Sequence, residues 1–301
     1  MEVSIIIGPM FPFLWDLVFS FLFLLKLINM AKISFAVLMA VHQRQDIENF
    51  FDKAINSIYQ NTLLPDEFLL LIDGPISKTF ITKIENLKSK YHFMIYQSQK
   101  NLGLANILNL GLNKIKSQWV IRLDGDDISH RCRFKEIISM VDDKTSIISS
   151  YVNEIDEYGN KILKKIPLSQ KQIIKYLKFR NPINHNAVAY NREHVLSVGG
   201  YPDLYLKEDY ALWIKMIAKG YQVKNTPKVL VDANFDDRTL RRRGGIKNIR
   251  SDISLVHLLY KYNLINFLEL LFNYIIRLSN ILLPNIIRKF IYKSLLRKKL
   301  N

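Results

Sequence analysis

Between Ile33 and Asp124 the chain alternates short apolar runs with stretches of helical period, and this alternation restricts the fold more than any other feature. Ile33–Val41, Phe68–Ile72, Tyr91–Tyr96 and Trp119–Leu123 are too short for helices and mostly lack polar breaks, as expected of strands covered on both faces. Between them, Asp46–Gln60 sets Phe50, Phe51, Ala54, Ile55, Ile58 and Tyr59 on one helical stripe, and Ser77–Lys90 and Gly103–Lys116 also read as helices. The alternation predicts βαβ units and an α/β fold with a mainly parallel sheet. Ligands of such sheets bind beyond the carboxyl ends of the strands. The acidic clusters at Asp73 and at Asp124–Asp127 both fall at such ends, so both point to one edge of the sheet.

After about residue 130 the pattern loosens. Tyr151–Ile162 reads as a hairpin, Gln170–Lys178 as a short helix, Ala187–Tyr190 as a strand and Tyr210–Lys219 as a helix. No repeat or low-complexity linker interrupts the chain, so a single globular body followed by a tail is expected. Within Leu264–Leu283 the polar residues Asn266, Glu269, Asn273, Arg277 and Asn280 recur every three or four positions, leaving a wide apolar face. Pro284 ends that helix. A second amphipathic stretch then sets Arg288, Lys289, Lys293, Arg297, Lys298 and Lys299 against Ile286, Ile287, Phe290, Ile291, Leu295 and Leu296.

Charge follows the same division. The formal net charge is +16, and the chain from Ile246 onward holds ten Lys/Arg against two acids. Half of the excess therefore sits among aliphatic residues, as in helices that lie on membrane surfaces; helices that cap the core or join subunits are the alternative. Nucleic acid is not an expected partner, because no aromatic stacking platform accompanies the cations. The single cysteine, Cys132, excludes an internal disulfide framework and reads as a buried small residue or a bystander. Residues 1–29 form a separate problem. Val3–Leu25 is almost wholly apolar apart from Asp16 and long enough to span a bilayer, with Lys26 and Lys32 behind it. Met30 also resembles a start, so the prefix reads as a membrane helix, a start-site extension or a core helix.

Two short acidic constellations carry the chemistry. Asp124-Gly125-Asp126-Asp127 puts carboxylates one residue apart on a tight turn, where they can face one hard divalent cation. The same residues would also suit a helix-capping turn. Glu208-Asp209 opens an apolar helix, Tyr210-Ala211-Leu212-Trp213 onward. A carboxylate there can act as a general base, or simply complement the helix dipole. Neither a GxGxxG nor a GxxxxGK[ST] phosphate loop occurs.

In order along the chain stand Phe35–His42, Leu71-Ile72-Asp73-Gly74-Pro75, Asn101-Leu102-Gly103, Asp124–Asp127, Asn184-His185-Asn186-Ala187-Val188, Gly199-Gly200-Tyr201, Glu208–Trp213 and Arg242–Gly245. This succession, over about residues 33–245, resembles the family 2 glycosyltransferases, which have the GT-A fold. The resemblance implies a nucleotide-sugar-binding half at 30–130, an acceptor-binding half at 131–245 and a basic membrane-associating tail at 246–301. It implies that Ala40, Val41, His42 and Asp73 line the donor nucleotide pocket. Asp124 and Asp126 would hold Mn²⁺ or Mg²⁺ with the donor diphosphate, and Asp127 would support them or meet the sugar. Arg241, Arg242 and Arg243 would close over the diphosphate, or else form a solvated loop. Asp209 would be the catalytic base with Glu208 beside it; His185 would border the acceptor or else be a structural histidine, and Trp213, grouped with the acceptor residues, would pack under that helix. Ala40, His42-Gln43 and the single acid Asp73 depart from the family's usual Pro, Tyr-Asn and paired acids, which bears on donor identity.

The expected reaction is inverting transfer of a hexose from a UDP-sugar to an acceptor hydroxyl. The resemblance points to bacterial members that build O-antigen or capsule repeat units. It therefore implies a polyprenyl-diphosphate-linked sugar such as GlcNAc as acceptor, reached from the cytoplasmic face of the inner membrane. A nucleotidyltransferase and a non-catalytic membrane-surface protein are the competing readings.

Overall fold

Each buried strand follows from a run of side chains that water would otherwise have to solvate. In the computed structural model, which describes residues 33–156, 158–235, 246–282 and 298–299, β1 (Phe35–Val41) is buried along its length except at half-buried Ala40. It runs parallel to β2 (Glu67–Ile72) on one side and β4 (Trp119–Arg122) on the other. The strand β3 (Met94–Gln97) continues the parallel set beyond β2. The helices α1 (Gln45–Tyr59), α2 (Lys78–Tyr91) and α3 (Leu104–Lys114) make the connections. The α1 stripe buries Phe51, Ala54, Ile55 and Ile58, as its spacing predicts, whereas Phe50 stays exposed at its edge. Ser77 caps α2 by accepting the Phe80 N–H at 3.1 Å.

The rest of the sheet is built differently. After β5 (Ile128–Ser129) and α4 (Arg133–Ser139) come β6 (Thr145–Ile155) and β7 (Lys161–Lys164), then α5 (Gln170–Leu177), β8 (Ala189–Asn191) and α6 (Arg192–Ser197). The short β8 slots antiparallel between β4 and β6. The two expected halves of the chain thus share one sheet, and the described residues from Ser34 onward belong to one compact unit. The hairpin is present, but β6 begins well before Tyr151. Where a strand was expected from Ala187, a 3₁₀ turn at His185–Ala187 comes first. The helix α7 (Glu208–Ala218) precedes β9 (Gln222–Asn234), a long strand that the sequence pattern does not announce. It pairs in parallel with β6 through irregular register and antiparallel with β5.

Two helices, α8 (Ile246–Lys261) and α9 (Phe267–Leu282), close the described part, followed by β10 (Lys298–Lys299) beside β7. Leu255, Val256 and Leu259 of α8 join the main core. No helix among the described residues is long and apolar enough to cross a membrane. The apolar stretch at 1–29 lies outside the described residues, as do Arg241, Arg242 and Arg243. Cys132, expected to be buried or a bystander, is exposed.

Candidate active site

The carboxyl ends of β1, β2 and β4 deliver Val41, Asp73 and the Asp124–Asp127 turn to one edge of the sheet. Gly125 lets that turn sit tightly: a Cβ there would lie 2.5 Å from Val41 Cγ1. Val41 is therefore a floor beneath the turn, its side chain buried by it. Its carbonyl accepts the Asp73 N–H at 2.7 Å. Ala40 and His42 are half-buried on either side of it.

Each acid of the turn has its own partner. Arg122, buried to 1% exposure within β4, places Nη2 2.6 Å from Asp124 Oδ1. Arg44, just before α1, donates to Asp126 Oδ2 at 2.9 Å while gripping both oxygens of Asp46. Asp127 turns inward, accepting from Asn186 Nδ2 at 2.7 Å and from the Asn234 N–H at 2.9 Å. It braces the turn against β9 and the segment before β8. Burial first, then the charge of Asp124, pushes the Asp126 carboxyl up to about 6, with Arg44 opposing. Burial and the two neighbouring acids hold Asp127 well above the usual carboxylate range.

The second acidic pair faces the same arginine. At the start of α7, burial and then Asp209 push Glu208 up to about 7, with Asp124 adding to the rise. Burial also raises Asp209, whose Oδ2 accepts from Asn181 Nδ2 at 2.7 Å and whose Oδ1 accepts the Tyr210 N–H at 2.7 Å. The charge of Arg122 acts on Asp124, Glu208 and Asp209, and it helps burial to keep His185 neutral. The His185–Ala187 turn lies between the two acidic elements, with Asn186 on Asp127 and the His185 ring against Trp213 of α7.

Other expected residues take different positions. Asp73 directs both oxygens onto the Asn101–Gly103 loop, accepting the Leu102 N–H at 2.7 Å and the Gly103 N–H at 3.0 Å. It shapes the entry to α3, a task the resemblance did not imply. Gln43, a departure from the family pattern, accepts the Ser77 N–H at 2.6 Å and so joins the loop after β1 to the start of α2. Trp213 is fully buried and offers no surface to an acceptor, which corrects its expected role. It backs His185 and Tyr201 edge to face. His185 Nε2 lies 3.1 Å from the Tyr201 hydroxyl. Tyr201 is in turn clamped by Asn109, which accepts its N–H at 2.8 Å and donates to its carbonyl at 2.9 Å. A side chain at Gly200 (φ +67°) would strike that same Asn109 amide, which accounts for the Gly199-Gly200-Tyr201 turn.

Among the described residues no group of three His, Cys, Asp or Glu is arranged to cage a metal. The donor set fits a hard cation held by one or two carboxylates and completed by substrate phosphates. Burial raises Asp126 and Asp127 most, and the repulsion between neighbouring acids that adds to it is what such a cation would relieve. Sequence reasoning missed Arg44, Arg122, Asn181 and Asn186. Arg122 carried a signal as a charge inside a run that otherwise reads as a buried strand, and Asn186 stood in the Asn184–Val188 motif without an assigned role.

Comparison with known proteins follows this geometry. Residues 36–199 match glycosyl transferase family 2. The chain is 39% identical to the Escherichia coli UDP-Gal:alpha-D-GlcNAc-diphosphoundecaprenol beta-1,3-galactosyltransferase, over 88% of this chain and 97% of that protein. It is 31% identical to the amylovoran biosynthesis glycosyltransferase AmsE of Erwinia amylovora, over 86% and 98%. Among solved structures, S. aureus TarS 1-349 in complex with UDP-GlcNAc superposes with a TM-score of 0.60 at 14% identity, over 81% of this chain and 72% of that one.

Proposed function

The chain belongs to glycosyl transferase family 2, and on that premise we propose that it transfers galactose from UDP-galactose to a polyprenyl-diphosphate-linked GlcNAc. The product would be one step of an O-antigen or exopolysaccharide repeat unit, made at a membrane surface. Two relatives support this reading: the galactosyltransferase acts on a GlcNAc-diphosphoundecaprenol by its name, and AmsE serves amylovoran synthesis. The single structural observation that carries it is that the His185–Ala187 turn touches both acidic elements: Asn186 donates to Asp127 at 2.7 Å, and the His185 ring packs edge to face on Trp213 of α7. That arrangement puts a cation- and phosphate-facing element opposite a proton-accepting one.

The chemistry follows from those parts. Asp124 and Asp126 would hold Mn²⁺ or Mg²⁺, which supplies Lewis-acid stabilisation of the departing diphosphate. Asp209 takes the proton of the acceptor hydroxyl as that oxygen attacks the anomeric carbon from the face opposite the diphosphate. Asn181 fixes the carboxylate so that its remaining lone pairs meet the acceptor. Burial raises the pKa of Asp209, which makes it a stronger base than a solvated aspartate. One displacement inverts the anomeric centre, so an α-linked donor gives a β-linked product. His185, kept neutral, stands beside the acceptor approach.

The test uses the full chain, a lipid-diphosphate GlcNAc acceptor, Mn²⁺ or Mg²⁺ and a panel of UDP-sugars. Transfer with inversion, strongest from UDP-galactose, is expected. Absence of transfer from every UDP-sugar sinks the reading.

A further inference from the structure

A helix on the surface of a water-soluble body normally turns its apolar face inward and its polar face out. The helix α9 does the reverse. Its polar residues point into the protein: Asn273 is 2% exposed, and Glu269 accepts from Lys178 Nζ at 2.6 Å. Arg277 Nη1 donates to Asp252 Oδ1 at 2.8 Å, and its guanidinium lies 5.7 Å from the Tyr210 ring centroid. Leu270 and Tyr274 pack on the core, but most of its large apolar residues point away, with Phe267 59%, Leu268 74%, Phe272 53% and Ile275 65% exposed and Leu271 between them. The inward face is locked by ion pairs and amide bonds, so rolling the helix over would break all of them. A contiguous apolar surface of this kind marks a docking face.

We propose that this outward face of α9 beds into the interfacial layer of an anionic lipid bilayer. Charge selects the occupant. Residues 283–301, directly after the helix, contain Arg288, Lys289, Lys293, Arg297, Lys298 and Lys299 and no acid. Against anionic headgroups each such cation adds attraction. A second copy of the chain carries the same net charge of +16 and would instead be repelled. The inward contacts also fix what the bilayer holds. Asp252 bridges Arg277 and Lys207, whose Nζ lies 3.3 Å from it, and Lys207 directly precedes the Glu208–Asp209 pair. Docking therefore sets the start of α7 at a defined height above the membrane, within reach of a sugar carried on a lipid diphosphate.

The inference rests on the lipid-linked acceptor reading for its purpose, yet its assay contains no donor or acceptor, so failed transfer and failed docking are separate results. The full chain and its Leu268→Glu/Ile275→Glu variant are sedimented with vesicles of phosphatidylcholine plus phosphatidylglycerol, and with phosphatidylcholine alone. The wild type should bind the mixed vesicles, more weakly at high salt, and the variant at least about tenfold less, because two large apolar side chains lose their burial. Without vesicles, the variant should melt no lower than the wild type. Equal vesicle binding by the two proteins overturns the proposal. A lower melting temperature of the variant without vesicles would show that the chain's own residues cover the face. A wild-type dimer that the variant splits, with no vesicle binding by either, would assign the face to a second copy.

Discussion

The Asp124–Asp127 turn and the Glu208–Asp209 helix start are both acidic and both largely withdrawn from water, but they are held by different kinds of group. The turn is held by guanidinium ions: Arg122 on Asp124 and Arg44 on Asp126. The helix start is held by amides, with Asn181 and the Tyr210 N–H on Asp209. An arginine contact favours the ionised carboxylate and suits it to gather a cation and phosphates. An amide contact orients a carboxylate without neutralising it, and burial is then free to raise its proton affinity. One acidic element is thus prepared to bind charge and the other to accept a proton, although their sequences look alike.

The largest effect that can break this contrast is on turnover. Asp209→Asn keeps the shape and the Asn181 contact but removes the base. It should lower kcat roughly 10²–10⁴-fold while UDP-sugar binding, followed by calorimetry, stays within a few-fold of the wild type. A larger loss in Glu208→Gln than in Asp209→Asn would transfer the role of base to Glu208.

Next in size is the removal of a counter-charge. Asp124→Asn leaves the Arg122 guanidinium without its ion-pair partner, and two of its three nitrogens, Nε and Nη1, already lack a hydrogen-bond partner in the described structure. Because Asp124 is itself one-third exposed, the expected loss of stability is about 2–3 kcal/mol, below that of a fully buried pair. Urea unfolding measures it, and Mn²⁺-dependent donor binding should fall in the same variant. An Asp124→Asn protein as stable as the wild type would show that Arg122 does not need this carboxylate. Smaller again is Gly125→Ala: its Cβ would meet Val41 and Ile47 at the floor of the turn, for a loss of ~1–3 kcal/mol by overpacking.

The contrast was only partly legible in the sequence, and the boundary has a physical reason. The runs that became β1, β2 and β4 are apolar on both faces, so burial alone identifies them. The turn and the helix start carry their acids in consecutive positions and could be read as motifs. By contrast, β8 spans three residues and is defined by neighbours far away in sequence, and β9 contains Lys224, Pro227 and Lys228 and holds its place through an irregular pairing with β6. No local pattern announces either. The groups that distinguish the acidic elements, Arg44, Asn181 and Asn186, are ordinary surface residue types in the sequence, and only the fold carries them to their carboxylates. Trp213 marks the limit of the motif: its packing under α7 was legible from helical period, but full burial removes it from the residues that can meet an acceptor.

The smallest expected effect tests the sign of the contrast. Glu208 has its folded pKa raised to about 7, chiefly by burial, against about 4.3 for an exposed glutamate. The folded state therefore holds this proton more tightly than the unfolded state does. Ionising Glu208 subtracts stability as pH rises from about 4.3 to about 7, and the whole penalty is present above that window. Glu208→Gln removes the charge and keeps the shape, so it should leave stability unchanged at about pH 4 and raise it by on the order of 1 kcal/mol at about pH 8. The same carboxylate-to-amide edit at Asp124 should lower stability at about pH 8, since there the carboxylate answers a buried arginine. Parallel unfolding curves at the two pH values separate the cases, and two variants shifted in the same direction would mean that the acidic elements are held alike.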